Sequence, residues 1–162
     1  MILLHALVLL SSCFPLATAQ YPPEQFCFRS CELALQSVRY NATNPRTGQT
    51  CSPKTCGCVN ELATTSLYLC TLLNCSEKER IEGIHSFNEA CLWRANVTAT
   101  PFSIVDGYSE EDVKGLRRLG REIGYPNTGH LVSEVVLPSN VYFQLCWHTL
   151  VRTSRFQFLN WC

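Results

Sequence analysis

The sequence predicts a small, mainly α-helical protein that disulfide bonds staple together, with a less regular C-terminal appendage. Three observations favour this fold class. The chain begins with an apolar leader, it holds 11 cysteines in 162 residues, and apolar residues recur at helical spacing around most of those cysteines. Because disulfides persist in oxidising compartments outside the cytosol, a cysteine-rich chain with such a leader indicates a disulfide scaffold.

Residues 1–19 have the pattern of a signal peptide. The run "MILLHALVLL" is uncharged and apolar over about the length of a signal-peptide core, and small residues at Ala17 and Ala19 match the cleavage pattern. Serines and a proline interrupt the run well short of the roughly 20 apolar residues that a membrane span needs. We therefore expect cleavage before Gln20, with the mature chain secreted or displayed on the extracellular face of the cell surface.

Cleavage would remove Cys13 and leave an even number of cysteines, so no thiol needs to stay free. We expect ten cysteines in disulfides: Cys27, Cys31, Cys51, Cys56, Cys58, Cys70, Cys75, Cys91, Cys146 and Cys162. Their connectivity cannot be chosen from sequence, because ten cysteines allow hundreds of pairings. A zinc site is the competing interpretation, but thiolate ligands belong mainly to reducing compartments, so we expect no metal.

The first helix is predicted in "FCFRSCELALQSVRY", residues 26–40, where Cys27, Cys31, Leu35 and Val38 recur at helical spacing. A loop follows over residues 41–58, rich in proline and glycine and carrying three cysteines. We expect covalent bonds to hold this loop more than regular secondary structure does.

Two further helices are predicted before residue 92. Asn60 can cap a helix that continues to about Leu73. Ser76 and Glu79 form a capping box that starts the next helix, and we expect that helix to end at Cys91. Such a small unit needs staples in addition to its core. We therefore expect one cysteine-rich helical domain over residues 20–91.

The appendage, residues 92–162, holds only two cysteines, Cys146 and Cys162. Ser109 and Asp112 predict a helix that continues to about residue 123, and "HLVSEVVL" predicts a strand that Pro138 stops. Residues 140–162 are aromatic and apolar, but two arginines within them argue against a membrane span.

Charge and sequons bear on the partners and on the surface. Lysines and arginines number 13, as do aspartates and glutamates, so the net charge of zero offers no electrostatic footprint for nucleic acid or an anionic membrane. Sequons predict glycans on Asn41 and Asn96. We do not predict a glycan at the third sequon, Asn74, since its middle residue, Cys75, is expected in a disulfide.

No catalytic motif for a nucleophile, a metalloprotease or a thioredoxin-type couple occurs, so we predict no enzyme activity. Three histidines remain after the leader, His85, His130 and His148, and they lack the spacing of a metal site. The acidic run Glu110–Asp112 is explained by its position at a helix start, where it complements the helix dipole.

Four aromatic residues have two interpretations. Phe26, Phe28, Tyr68 and Phe87 could form an apolar platform for a flat ligand, or they could pack in the core. Exposure separates the two, and the sequence does not give it.

The order and spacing of eight cysteines, C-x3-C, C-x4-C-x-C and C-x11-C-x4-C-x15-C over Cys27 to Cys91, resembles the fungal CFEM domain. The resemblance implies a helical basket closed by four disulfides, on secreted or membrane-attached fungal proteins. Several members bind haem for iron acquisition. In the family an aspartate before the C-x-C holds the haem iron, and here "SPKT" between Cys51 and Cys56 contains no aspartate.

The whole chain also resembles, more weakly, the cysteine-rich ectodomain of fungal ferric reductases. The stretches "SEEDVKGLRRLG" and "LPSNVYFQLCWHTL" are loosely similar to the tail of those ectodomains. The resemblances imply a non-catalytic binding module in iron or haem acquisition. The alternatives are an ectodomain fragment of a membrane ferric reductase, or a secreted effector or adhesin. The implied partners are haem, or a cell-wall, host or membrane-protein partner.

Overall fold

The computed structural model describes residues 22–36, 38–43, 48, 50–52, 54–120 and 131–159, and of residues 154–159 only the helical backbone. Within these ranges the chain is mainly α-helical and is stapled by four disulfides, as the sequence predicts. The predicted signal peptide, His130 and Cys162 lie outside the described residues.

Helices alternate with very short strands along the described chain. The elements are α1 (Phe26–Leu35), β1 (Arg39–Tyr40), α2 (Cys56–Val59), α3 (Glu61–Asn74), α4 (Glu77–Ala95), α5 (Glu110–Gly115), β2 (Arg117–Leu119), β3 (Leu131–Val132), β4 (Val136–Pro138) and α6 (Asn140–Leu159). Single turns of 3-10 helix cover Pro23–Gln25 and Phe102–Val105.

The helix starts are set by the capping residues that the sequence predicts. The Asn60 side chain accepts a hydrogen bond from a backbone N–H in the first turn of α3 at 3.1 Å. Ser76 and Glu79 form a complete capping box at the start of α4, and Ser109 and Asp112 form another at the start of α5. These side chains satisfy backbone donors that have no partner within the helix.

The predicted ends of the first and third helices are wrong. The first helix stops at Leu35 rather than at residue 40, because Arg39 and Tyr40 form β1 and pair in parallel with β3. The third helix runs past Cys91 to Ala95, and Asn96 ends it in the left-handed conformation at φ 52°. Asparagine tolerates that conformation better than most residues do.

The predictions for residues 109–137 are also corrected. Helix α5 ends at Gly115 instead of near residue 123, because Arg117–Leu119 form β2 and pair in parallel with β4. The predicted strand over residues 130–137 is two separate strands, β3 and β4, and Pro138 belongs to β4. Within the predicted loop 41–58, the last residues start the short helix α2.

The core forms around α1, which packs against α3, α4 and α6. Phe28 of α1 is fully buried, as are Tyr68 and Leu69 of α3. The Tyr68 hydroxyl donates to the Thr100 carbonyl at 2.6 Å, and burial raises the pKa of Tyr68 to about 12. This hydroxyl therefore stays protonated and hydrogen-bonded at physiological pH.

Residues beyond Cys91 share this core. Val136 and Leu137 of β4 are fully buried, and the Val136 N–H donates to the Ser66 hydroxyl of α3 at 3.0 Å. The ring of Trp147 on α6 meets Phe26 of α1 edge-on, with ring centroids 6.4 Å apart. The division of the chain into a helical domain over residues 20–91 and an appendage over residues 92–162 stays a prediction.

Eight of the predicted disulfide cysteines pair. The bonds are Cys27–Cys75, Cys31–Cys70, Cys51–Cys56 and Cys58–Cys91. Two of them clamp α1 to α3 and to the junction between α3 and α4, and the fourth ties α2 to α4. Each long-range bridge lowers the conformational entropy of the unfolded chain, which typically stabilises the folded state by about 2–4 kcal/mol.

Cys146 on α6 is buried, at 5% relative exposure, and forms no disulfide within the described part of the chain. Burial raises the pKa of its thiol. Its disulfide bonding and that of Cys162, which is not described, stay predictions. Among the helices that the structure describes, none is both long and apolar enough to cross a membrane.

The connectivity can be tested by peptide mapping. Non-reducing digestion of the mature protein should yield the four linked pairs given above, because each joins cysteines that the fold brings together. The measurement is mass spectrometry after alkylation without reduction. A Cys27–Cys31 link or alkylation of Cys70 would contradict this fold.

Gly83 of α4 is a second test, because an added Cβ there would overlap the Cβ and ring of Phe28. We expect Gly83→Ala to lower the free energy of unfolding by about 1–3 kcal/mol, since overpacking outweighs the gain in helix propensity. Gly115→Ala is the control, because a Cβ there meets no atom within 4 Å. Urea unfolding of both variants gives the comparison, and equal stability of the two would contradict the packing.

Candidate functional site

A cavity of about 720 Å³, partly open to solvent, lies between α1 and α4 and extends to α2. Its lining comes from α1 between Arg29 and Leu35, from the last turns of α4 and from the segment around Val38 and Tyr40. Residues of α2 and α3, and Leu150 of α6, complete it. Binding sites for small molecules commonly enclose about 300–1,000 Å³. This cavity is therefore large enough for an organic ligand.

The inner surface of the cavity is apolar. Leu35, Leu67 and Phe87 line it and are buried, and half-buried Val38 and Ala63 extend the same surface. The Cys58–Cys91 disulfide joins α2 to α4 beside this surface and fixes that wall covalently. An apolar ligand body would bury its surface here at a gain of about 25 cal/mol per Å².

Charged side chains surround this apolar surface, and cations outnumber acids. Among the described residues of the lining, three are cationic, Arg29, Lys54 and Arg94, and one is a carboxylate, Glu32. Arg29 pairs with Glu32 one turn along α1 and donates to the Ser86 hydroxyl of α4 at 3.2 Å. Lys54 and Arg94 are exposed. The lining therefore favours an anionic group on the ligand.

Glu32 has a perturbed pKa. Burial in the cavity wall raises the pKa of its carboxyl, and the positive charges of Arg29 and Arg94 oppose that rise only in part. Its side chain keeps 27% of its exposure. A carboxylate in this position competes with any anionic ligand for the arginines, and its protonation removes the competition.

Tyr40 adds a buried hydroxyl to the cavity lining, next to the Ser66 hydroxyl of α3. The Ser66 hydroxyl donates to the Leu62 carbonyl at 2.7 Å and accepts from the Val136 N–H. Burial raises the pKa of Tyr40 above its usual range. Tyr40 is therefore a neutral phenol that could donate a hydrogen bond to a ligand, and it is a poor metal ligand.

The described lining contains no histidine or aspartate, and its cysteines are oxidised. Lys54, between Cys51 and Cys56, lies at the cavity. No group of three or more metal-binding side chains occurs within the described residues. Recognition here would therefore depend on charge and apolar contact.

The glycosylation candidates have different surroundings. Asn41 is half-buried, and its side-chain oxygen accepts from the Thr43 backbone N–H at 3.1 Å. The Asn74 amide donates to the Cys70 carbonyl at 2.8 Å, and Cys75 is bridged to Cys27, as expected. Asn96 is exposed at the end of α4. Occupancy of Asn41 and Asn96 stays a prediction.

The remaining candidates lie away from the cavity. His85 is on the outer face of α4, with its side chain 71% exposed and 3.7 Å from Glu89, and His148 is exposed on α6. Asp112 accepts a hydrogen bond from the Ser109 backbone N–H at 2.9 Å, and hydrogen bonds from Ser109 lower its pKa. The acidic run is therefore a helix cap, as the sequence indicates.

The four aromatic residues form core contacts and not an exposed platform. Phe28 and Tyr68 are fully buried and Phe87 is 7% exposed. The Phe28 and Phe87 rings lie 5.9 Å apart, and Tyr68 meets Phe87 edge-on at 6.2 Å. Phe26 packs on Trp147. Only Phe87 also reaches the cavity, so core packing is the correct interpretation.

Sequence reasoning missed the charged residues of the cavity. Arg29 and Glu32 stand three residues apart on α1, which is a signal for an ion pair but not for a cavity. Lys54 and Arg94 come from other parts of the chain, and only the fold brings them to the same site. No local pattern could have indicated this grouping.

Glu32→Gln tests the environment of the carboxyl. Since its folded-state pKa is raised, the contribution of Glu32 to stability is fully present below the unfolded pKa, at about pH 4, and is lost as pH rises through the folded pKa. Glutamine does not titrate. Urea unfolding at several pH values between about 4 and 7 gives the free energy of unfolding of both proteins. As pH rises, we expect that of the natural protein to fall relative to that of Glu32→Gln. A constant difference across that range would contradict the raised pKa.

No protein-family model, curated protein or solved structure matches this chain. The structure itself establishes a small cysteine-rich, mainly α-helical protein that four disulfides staple.

Proposed function

We propose that this chain is a secreted or cell-surface, non-catalytic binding protein that takes an amphipathic organic anion into the cavity between α1 and α4. Haem, as cargo in iron or haem acquisition, is the leading candidate. The observation that carries the proposal is the cavity itself, an apolar surface whose described lining holds three cations, Arg29, Lys54 and Arg94, and one acid, Glu32.

The disulfide scaffold supports a secreted location. Four bridges among eight cysteines are typical of an oxidising compartment. The order of these cysteines resembles the fungal CFEM domain, in which several members bind haem. That resemblance is the reason for naming haem, and a fungal source, within the wider class of amphipathic anions.

The cavity offers two of the three features by which proteins hold haem. The flat ring of haem is apolar and suits the surface of Leu35, Leu67 and Phe87, and its two carboxylates suit Lys54 and Arg94. The third feature, an axial ligand, has no strong donor in the described lining, since Tyr40 is a buried phenol with a raised pKa. Binding would therefore depend on the ring and the carboxylates more than on the iron.

An interaction function is the second candidate, and exposed apolar residues favour it. Val141 is 82% exposed, Ile81 58% and Leu73 47%. Such residues are common singly on protein surfaces, but they can also contact a partner. The ectodomain of a ferric reductase, or an effector or adhesin on the same scaffold, would use such contacts. A coding sequence that continues into several apolar spans would favour the reductase ectodomain.

A titration with two porphyrins tests the leading proposal. We expect the purified, glycosylated protein to saturate with one equivalent of haemin, with a shifted Soret band, and to bind iron-free protoporphyrin with a Kd within about tenfold of the haemin value. A tenfold difference corresponds to about 1.4 kcal/mol, less than an iron–ligand bond would contribute. Failure of both porphyrins to bind would contradict the proposed function.

The cations provide the matched variants. Lys54→Gln and Arg94→Gln should each weaken porphyrin binding roughly 5- to 30-fold, because each removes a charge-assisted contact worth about 1–2 kcal/mol. Lys114→Gln and Arg118→Gln remove equal charges outside the cavity lining and should leave the Kd unchanged. Equal weakening by all four variants would indicate long-range attraction without a site. Unchanged binding in the first two would place the ligand elsewhere.

A further inference from the structure

Trp93 is the most exposed large apolar side chain among those the structure describes, at 91% relative exposure. It lies in the last turn of α4, away from the core. Burying an indole is worth several times more than burying a small side chain, so a nearly fully exposed tryptophan calls for an explanation. The nearest feature along the chain is the sequon that begins three residues later, at Asn96.

Asn96 has a structural role of its own. It ends α4 in the left-handed conformation, with its backbone N–H bonded to the Leu92 carbonyl at 3.1 Å, and the Val97 N–H bonds to the Cys91 carbonyl at 3.4 Å. Asparagine is one of the residues that accept this conformation. The backbone therefore explains Asn96, but it explains neither Thr98 nor the exposure of Trp93.

The side chains of this sequon are available for modification. Asn96 and Thr98 are both exposed, and no described residue hydrogen-bonds the Asn96 amide. The other two sequons differ. The Asn74 amide is engaged with the Cys70 carbonyl, and the Asn41 side chain accepts from Thr43. The Asn96 N–H closes the last turn of α4 on the Leu92 carbonyl, so the Asn96 backbone lies about one helical turn beyond Trp93.

We propose that Asn96 carries an N-linked glycan and that the exposed indole of Trp93 is the surface on which its first N-acetylglucosamine stacks. The modification joins Asn96 Nδ2 to C1 of the sugar, with loss of an amide proton and departure of the lipid pyrophosphate of the oligosaccharide donor. One face of the sugar ring carries only C–H groups. That face removes indole surface from water and meets the electron-rich face of the ring.

The stacked sugar has two consequences. It covers an indole that would otherwise be an exposed apolar contact on the surface, and it fixes the direction in which the glycan leaves the end of α4. Arg94, which lines the cavity, is the next residue after Trp93. A glycan held on the indole therefore leaves from the end of α4 that carries one of the cavity cations.

A double-mutant cycle in a glycosylating host tests the pair. Thr98→Ala blocks the modification while Asn96 stays in place as the helix cap, and Trp93→Ala removes the indole. We expect Thr98→Ala to lower the melting temperature by roughly 2–4 °C when Trp93 is present, the size of one weak stacking contact in a chain of this length. In the Trp93→Ala background the same change should have no effect. Thr43→Ala, which blocks the sequon at Asn41, is the control and should show no coupling to Trp93.

Direct contact is visible by NMR. Ring current from the indole should move the N-acetyl methyl resonance of the Asn96 glycan upfield, and Trp93→Ala should return it to the position of an unstacked sugar. Trp93→Ala and Thr98→Ala change exposed side chains, so both variants should fold. An unmodified Asn96 in the mass spectrum of the secreted protein would overturn the proposal. So would a zero coupling energy combined with an unshifted methyl resonance.

Discussion

The covalent clamp on α1 is the constraint on which the rest of the structure depends. Cys27–Cys75 and Cys31–Cys70, one turn apart on α1, hold this helix against α3 and the start of α4. All three of the longer helices that follow, α3, α4 and α6, pack against α1. Because the helix cannot slide or rotate, Phe28 meets Gly83 without a gap, and the charged face that carries Arg29 and Glu32 is fixed toward the cavity.

The same clamp allows the molecule to keep a cavity. Empty space between helices costs packing energy, and the net free energy of unfolding of a small domain is only about 5–15 kcal/mol. The bridges shift the balance by restricting the unfolded chain, so the folded protein can keep this cavity beside the Cys58–Cys91 bond. The cavity in turn exposes apolar surface and partly buries Glu32, which raises the pKa of that carboxyl. The disulfide scaffold therefore permits the cavity, and the cavity in turn perturbs the pKa of Glu32.

Local signals in the sequence predicted local structure. Asn60, Ser76 and Ser109 cap the helices that follow them, because a capping side chain bonds to donors within one turn. The predicted helix ends were wrong where pairing with a distant segment determines the end of the helix. Leu35 ends α1 because β1 pairs with residues almost a hundred positions away, and α5 ends before β2 for the same kind of reason. The disulfide pairing and the meeting of Lys54 with Arg94 also depend on the fold, so no pattern along the chain indicated them.

Hydrogen exchange with and without saturating haemin tests the central claim, that the disulfide-held cavity between α1 and α4 is the binding site. The account predicts slower exchange in the C-terminal half of α1, in residues 54–60 and in the last turns of α4, which together line the cavity. Exchange in α5 and β2 should not change. Slowing confined to α5 and β2, or no slowing despite a saturated Soret band, would contradict the account.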